Sequence, residues 1–486
     1  MNSTAFIDTS LCDAQQTQWA GVLKSEQILP ILGRMDRIGL HSIDIMGPEL
    51  FQCMVVNLQE DPWLRMSAAA SRCQKTPLNA WISGQYLFGQ KLLTKKEIND
   101  GVAFIAECGV KRLYIYDALN DFKNIEDIII EARRMNMEVC GTLVYAASPS
   151  VNGAYFSALA KNFLQTGATS ICLWDPAGSL GSEEQADLIP ELRKASQAVP
   201  LELKSPCSSG IAERVYLQAL ELGVNRLHTA VAPLSSGTGM PAMEYFILHH
   251  RRQNENITLN EGELSGVSDY FAAIAKAHNY RIGEQLLRDL SALEHQMPVS
   301  EVAAIRQIIG VDQPEIDPEK ILVEVARIRS DLDAPALAWP IASIMRRQAI
   351  LNLSDSGRYE RMDLDFARLI DRAFSKLPTS IGKKLRKLAQ ENLKRRTDQD
   401  ENVAIESETR PVTGVNTTAT SLLTEIMCGK NISDTVTANS DISALLDYVD
   451  AETPFDQLVG ELMKRDWIRS IVISKGDLKF ELDNVA

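Results

Sequence analysis

The residues best able to do chemistry lie in short polar segments, each of which follows a β-branched or aromatic run. In chain order they are Cys12-Asp13-Ala14-Gln15-Gln16, Met46-Gly47-Pro48, Ser83-Gly84-Gln85, Asp117-Ala118-Leu119-Asn120-Asp121, Trp174-Asp175-Pro176-Ala177-Gly178, Lys204-Ser205-Pro206 and Ser235-Ser236-Gly237-Thr238. Their carboxylates, amides, hydroxyls and amine could move protons or grip a polar substrate. The six His (His41, His228, His249, His250, His278 and His295) show no His-x-His or HExxH spacing that would mark a metal site. Adjacent His249 and His250 would point to different faces of a helix, which suits a surface or capping role. The eight Cys are scattered singly without CxxC pairs, so they read as reduced and mostly buried thiols. Cys172 shares a strand face with Trp174, but no His in these segments partners it as a nucleophile.

The runs that must position these segments are AFIDTS, HSIDIM, PLNAWIS, RLYIYD, MEVCGTLVY, SICLWD, LELKSP and RLHTAVAP, all between Phe6 and about His250. Amphipathic stretches alternate with them, such as KSEQILPILGRMDRIG, stopped by Gly39, and TKKEINDGVAFIAECG, stopped by Gly109. Eight βα units in roughly 245 residues match a (β/α)8 TIM barrel, in which the loops after the strands converge over one mouth. No GxGxxG follows a strand, which weighs against a dinucleotide-binding open sheet.

Residues 1–255 are thus expected to form the barrel. From about Leu264 to Leu393 helical patterns dominate, including SDYFAAIAKAHNYRIGEQLLRDLSALEH and DPEKILVEVARIRSDL, so residues 256–396 are expected as a helical domain. Residues 397–421 are polar and free of aromatics, and read as a flexible linker. Residues 422–486 read as a small α/β unit. SDISALLDYVD and PFDQLVGELMKRDWI are its helices, and SIVISKGDLKFEL is a hairpin turning at Lys475-Gly476. The formal charge of −14 argues against nucleic acid or an anionic membrane as a partner. The N-terminus lacks a basic start followed by an apolar run, and no apolar stretch reaches a membrane span, so a cytoplasmic location is expected.

Several segments carry a family signature when taken in order. They are FIDTSLCDAQQTQWA, GPELFQCMVVNLQEDPWLRM, YDALNDFKN, WDPAGSL, ELKSPCSSG and APLSSGTGMP, followed beyond the barrel by EHQMP and VARIRSDLDAPALAWPIASIMRRQAILNL. Together they resemble the carboxyltransferase domain shared by pyruvate carboxylase, the oxaloacetate decarboxylase α subunit and the transcarboxylase 5S subunit. The counterparts there begin Asp-Thr-Thr-Leu-Arg-Asp-Ala-His-Gln-Ser and include Phe-Asp-Ala-Leu-Asn-Asp-Leu-Arg-Asn, Lys-Asp-Met-Ala-Gly, His-Thr-His and Ser-Gly-Gly-Thr-Ser-Gln-Pro. The resemblance runs from about Phe6 to about Ala367.

That family holds a divalent metal with the first-loop Asp, a carbamylated Lys and the two His of His-x-His. At the matching positions this chain keeps Asp13 but has Trp174 for the Lys, and Lys204 and Pro206 for the two His. Trp and Pro side chains offer a metal no lone pair, and an ammonium repels it, so no bound divalent metal is expected. The resemblance places substrate-handling positions at Lys123, Asp175 and Ser83. Ser83 stands where the family has an Arg, as does Cys12, and Lys123 keeps a charge without the bidentate fork of Arg. Gln16 survives, and Thr238 matches the hydroxyl that shuttles a proton between biotin and the enolate. Lys204 is expected to project into the mouth near Asp13, either as an ion-pair partner or as a Schiff-base lysine.

No Met-Lys-Met turn occurs in the tail, and Lys430 in IMCGKNI lacks the flanking Met residues, so covalent biotin is not expected. The function implied is that of a degenerate carboxyltransferase-like subunit. It would have lost metal-dependent carboxyl transfer and would serve a structural, regulatory or small-molecule-binding role. The alternative is an active carboxyltransferase, decarboxylase or lyase on a 2-oxo acid of the pyruvate or oxaloacetate type, using a separate biotin carrier or Lys204. The partners implied are a second copy of the chain and a biotin carboxylase or biotin-carrier subunit.

Overall fold

The computed structural model describes residues 4–483 except 149–150, 198, 254–256, 284–290, 312–316, 356, 372–382, 401–416, 429–469 and 476–477. Each of the eight runs becomes a strand: β1 (Ala5–Asp8), β2 (Ser42–Met46), β3 (Leu78–Ser83), β4 (Arg112–Tyr116), β5 (Glu138–Val144), β6 (Ser170–Trp174), β7 (Leu201–Lys204) and β8 (Arg226–Thr229). Neighbours pair in parallel, and β8 returns to β1 to close an eight-stranded barrel. The fold is a (β/α)8 TIM barrel. Every residue of β2, β3, β4 and β6 is buried. In a closed parallel barrel one strand face packs on the outer helices and the other fills the interior, which is why these strands read as continuous runs.

Register decides which side chains meet. β6 and β7 pair Cys172 with Glu202 and Trp174 with Lys204, while β3 and β4 pair Trp81 with Tyr114 and Ser83 with Tyr116. The barrel interior is unusually polar. Buried Glu202 accepts from Arg112, from Tyr114 Oη at 2.7 Å and from Arg226 Nη1 at 3.0 Å. Asp44 accepts from Asn79 Nδ2 and Trp81 Nε1, each at 2.8 Å. These bonds offset the cost of burying carboxylates in a core.

The helix expected around residues 95–107 spans Lys95–Glu107, with Thr94 and Glu97 forming a capping box. The stretch Lys24–Gly39 is not one helix but three short turns, Ser25–Ile28, Leu29–Ile31 and Leu32–Met35. Pro30 lacks the N–H that a continuous helix would use. The long helical pattern over residues 268–295 is likewise interrupted. Glu261–His278 ends where Asn279 turns left-handed at φ 56°, and Ser291–His295 is a separate described helix.

The helices Pro318–Asp331, Ile341–Ser354 and Leu364–Ile370 share an apolar core with the barrel mouth, since Met297, Leu337, Ile341 and Met345 cluster with Trp81, Tyr116 and Trp174. Two helices enter the stretch expected as a linker: Lys383–Asp400 runs into it and Thr417–Cys428 begins within it. The second docks on the barrel exterior. Trp63 Nε1 donates to Thr424 Oγ1 at 3.0 Å, and Leu423 and Met427 are buried in the barrel's outer core. The expected hairpin forms from β9 (Ser470–Lys475) and β10 (Leu478–Asp483), paired antiparallel. The two helices expected at 440–450 and 454–468, and Lys430, lie outside the described residues. All eight cysteines are free thiols. Among the described residues no helix is long and apolar enough to cross a membrane.

Candidate ligand site at the barrel mouth

The first loop begins with a tightly tied turn. Asp8 accepts from Ser10 N and Ser10 Oγ, each at 3.0 Å, and Thr9 Oγ1 donates to the Thr229 carbonyl at 3.1 Å. The chain then makes a π-helical turn over Ser10–Ala14, which carries Cys12 and Asp13 to the mouth. With only β8 between it and β1, β7 delivers Lys204, whose side chain is only 4% exposed and whose Nζ lies 3.6 Å from Asp13 Oδ1. Asp13 Oδ2 is buried without a hydrogen-bond partner among the described residues.

Aromatic rings complete the surroundings of Lys204. Its Nζ stands 4.0 Å from the centre of the Trp81 ring and 5.8 Å from that of Trp174. Trp81 is pinned by its N–H to Asp44 and stacked on Tyr114 at 4.1 Å, and Trp174 packs edge-on against Trp81 and Tyr116. A desolvated cation over an indole gains up to about 2 kcal/mol. Burial acts to strip the Lys204 proton, but the carboxylates of Asp13 and Asp44 outweigh it and hold its pKa above the ordinary lysine value.

The cleft at this mouth is lined by Asp13, Gln16, Glu49, Trp81, Trp174 and Lys204, with Met240 and the segment Pro298–Ser300 closing it. Its volume is about 500 Å³, including the part open to solvent. The covering segment is anchored where Gln296 Oε1 accepts from Ala147 N at 3.0 Å and from Arg329 Nη2 at 2.9 Å. Burial pushes the Glu49 carboxyl up to about 7, with Glu301 and Asp13 adding to the effect.

The expected site residues separate into two groups. Asp13, Gln16 and Lys204 share the cleft; Thr238, Asp175, Ser83 and Lys123 do not line it. Thr238 Oγ1 donates to the Thr17 carbonyl at 2.7 Å, tying the last loop to the first. Asp175 is fully buried and accepts from Ser179 N, Leu180 N and Ser205 Oγ, so it anchors the turn after β6. Ser83 Oγ donates to the Trp339 carbonyl at 2.7 Å, and Lys123 is exposed.

Sequence reasoning missed Glu49, Trp81, Tyr116, Met240 and Pro298–Ser300. Trp81 was accessible by alternation, two residues before Ser83 on the same strand face. Glu49 directly follows Met46-Gly47-Pro48, at the strand end already singled out.

Cys172, Glu202 and His228 bring one potential ligand atom each within 4.8 Å of the others. They lie inside the barrel, and Glu202 is already taken by Arg112, Tyr114 and Arg226, so an ion there would have to displace guanidinium groups. At the mouth, the side chains facing Asp13 include an ammonium and indoles, none of which donates a lone pair to a cation.

A (β/α)8 barrel with its polar loops gathered at the strand ends, capped by a helical region that shares its core, is an architecture shared with carboxyltransferase domains. A pyruvate carboxylase subunit of Methanocaldococcus jannaschii is 30% identical over 383 residues, covering 78% of this chain and 67% of that one. The methylmalonyl-CoA carboxyltransferase 5S subunit of Propionibacterium freudenreichii subsp. shermanii is 25% identical over 382 residues, covering 78% and 75% respectively. The chain belongs to this biotin-dependent carboxyltransferase family. The fold agrees with the carboxyl transferase domain of Rhizobium etli pyruvate carboxylase, solved with pyruvate, at a TM-score of 0.77 and 17% identity over 92% of this chain and 78% of that one. No protein-family model matches the chain.

Proposed function

We propose that this family member works without a mouth-bound divalent metal, and that it acts as a small-molecule-binding subunit rather than as a metal-dependent carboxyltransferase. The observation that carries this reading is the Lys204 ammonium, 3.6 Å from Asp13 Oδ1. It supplies a fixed positive charge beside the one retained carboxylate, where the family resemblance places a metal ligand. Trp174 and Pro206, at two further ligand positions, bring no donor atom. The donor set therefore does not fit the metal, and no reaction step is assigned to it.

A second reading is favoured by the relatives' names: an active carboxyltransferase or decarboxylase on a 2-oxo acid, served by a separate biotin carboxylase or biotin-carrier subunit. In its lysine-dependent form this reading needs a neutral amine, and the raised pKa of Lys204 works against that at neutral pH. Metal analysis of the purified full chain, with an oxaloacetate decarboxylation assay in the presence of Mn²⁺, separates the two. About one tightly bound divalent ion per chain, with decarboxylation above background, establishes the second reading and removes the first.

A further inference from the structure

The cleft holds one ammonium and two carboxylates whose hydrogen-bonding capacity is only partly used. The Lys204 side chain is buried, and the nearest carboxylate to its Nζ among the described residues is Asp13 Oδ1 at 3.6 Å, beyond a hydrogen bond. Asp13 Oδ2 has no hydrogen-bond partner among the described residues, and Glu49, held by a backbone N–H, receives a long contact on Oε1 from Ser300 Oγ at 3.5 Å. Each such group loses hydration when the mouth is covered by Pro298–Ser300, so a bound molecule that supplies the missing donors and acceptors recovers that free energy.

The charge pattern selects the molecule. A 2-oxo acid would offer its carboxylate to Lys204, but its carbonyl oxygen would then face the Asp13 carboxylate, and Glu49, pushed up to about 7, could donate to it only below that pH. A simple amine would satisfy the carboxylates and leave the Lys204 donors unmatched, with a second cation near the first. A zwitterion carries both complements on adjacent atoms. Trp174, Met240, Pro176 and Pro298 wall the rest of the space and offer apolar contact to a short side chain.

We propose that the barrel mouth binds a small zwitterionic α-amino acid, with its carboxylate accepting from Lys204 and its ammonium donating to Asp13 and Glu49. This assignment rests on the metal-free reading of the mouth, because a metal would claim the same positions. No covalent step is involved.

The test is titration calorimetry of the full chain at mildly alkaline pH with alanine, with pyruvate, which replaces its ammonium carbon by a carbonyl, and with ethylamine, which lacks its carboxylate. Each is run on chelator-treated protein and again with Mn²⁺. Alanine is expected to bind about ten-fold or more tightly than either of the others, with the same affinity with or without Mn²⁺. Asp13→Asn and Glu49→Gln are expected to weaken alanine selectively. Pyruvate or ethylamine binding as tightly as alanine, or no binding of alanine at millimolar concentration, overturns the assignment. Pyruvate binding that requires Mn²⁺ overturns the metal-free reading as well, whereas failure of alanine with no Mn²⁺ effect overturns the ligand class alone.

Discussion

The Lys204 ammonium stands 4.0 Å from the centre of the Trp81 ring, while the same indole donates its N–H to Asp44 at 2.8 Å. One tryptophan thus joins the ionic layer at the mouth to the polar layer beneath it. Lys204→Met keeps an unbranched side chain one atom shorter and removes its charge, leaving Asp13 and Asp44 without that cation. Breaking a buried ion pair by removing one partner costs about 3–5 kcal/mol. Asp13 is 19% exposed, so water recovers part of this, and a loss of about 1–3 kcal/mol is expected in urea unfolding followed by tryptophan fluorescence. Unchanged stability would show that the ammonium contributes nothing to holding the mouth together.

Restoring donors should restore metal affinity. Lys204→His, Pro206→His and Trp174→Lys together return imidazoles and a lysine to the positions where the family resemblance places ligands beside Asp13. Dialysed and analysed by plasma mass spectrometry, the triple variant is expected to retain about one divalent ion per chain, and the natural chain far less. Equal metal content in both would mean that the three replaced side chains do not decide binding.

Burial pushes the Asp8 carboxyl up to about 7, against the hydrogen bonds it accepts from Ser10. In the unfolded chain it would ionise near the ordinary value of about 3.9. Between these two values the unfolded state has released the proton and the folded state has kept it, so Asp8 makes stability fall as pH rises from about 4 to about 7. Asp8→Asn removes this dependence. Relative to the natural chain, the variant should gain about 2–4 kcal/mol between mildly acidic and mildly alkaline pH. Denaturant titrations at both ends of the range measure the difference, and a constant offset between the two proteins would contradict the burial argument.

The docked helix Thr417–Cys428 depends on a close approach at Gly89, where an added Cβ would lie 2.9 Å from Met427 Cβ. Gly89→Ala should therefore lift this helix and expose Trp63 near Thr424 while leaving the barrel folded. Hydrogen exchange is expected to speed up by about ten-fold or more in the peptide spanning 417–428, with β1 to β8 unaffected. Equal exchange in both proteins would mean that the helix shifts to accommodate the methyl group.

The strands were legible because a closed parallel barrel buries both faces of each one, leaving runs such as RLYIYD with little polar interruption. Helix boundaries were legible where a side chain caps the backbone, as Thr94 and Glu97 do, and illegible where Asn279 turns left-handed in the middle of a helical pattern. Of the proposed site residues, Asp13, Gln16 and Lys204 came together, as the order of strand ends suggested. Ser83 and Asp175 stand at strand ends too, yet their side chains are taken by Trp339 and by the turn Ser179-Leu180. Those partners are fixed by packing, in one case across 256 residues of chain, and no local pattern encodes them.

The sequence by itself determined the architecture and the chemical inventory of the mouth. Strand periodicity names the barrel, and side-chain identity at positions 174, 204 and 206 says which atoms could or could not hold a cation, because both are properties of local covalent structure. Only the tertiary structure decided that Lys204 rests over Trp81, that Glu49 joins Asp13 in one cleft, and that Pro298–Ser300 closes it. Those outcomes depend on barrel closure and on the register of β6 against β7, which bring together groups far apart along the chain through the burial of surfaces that no single segment contains.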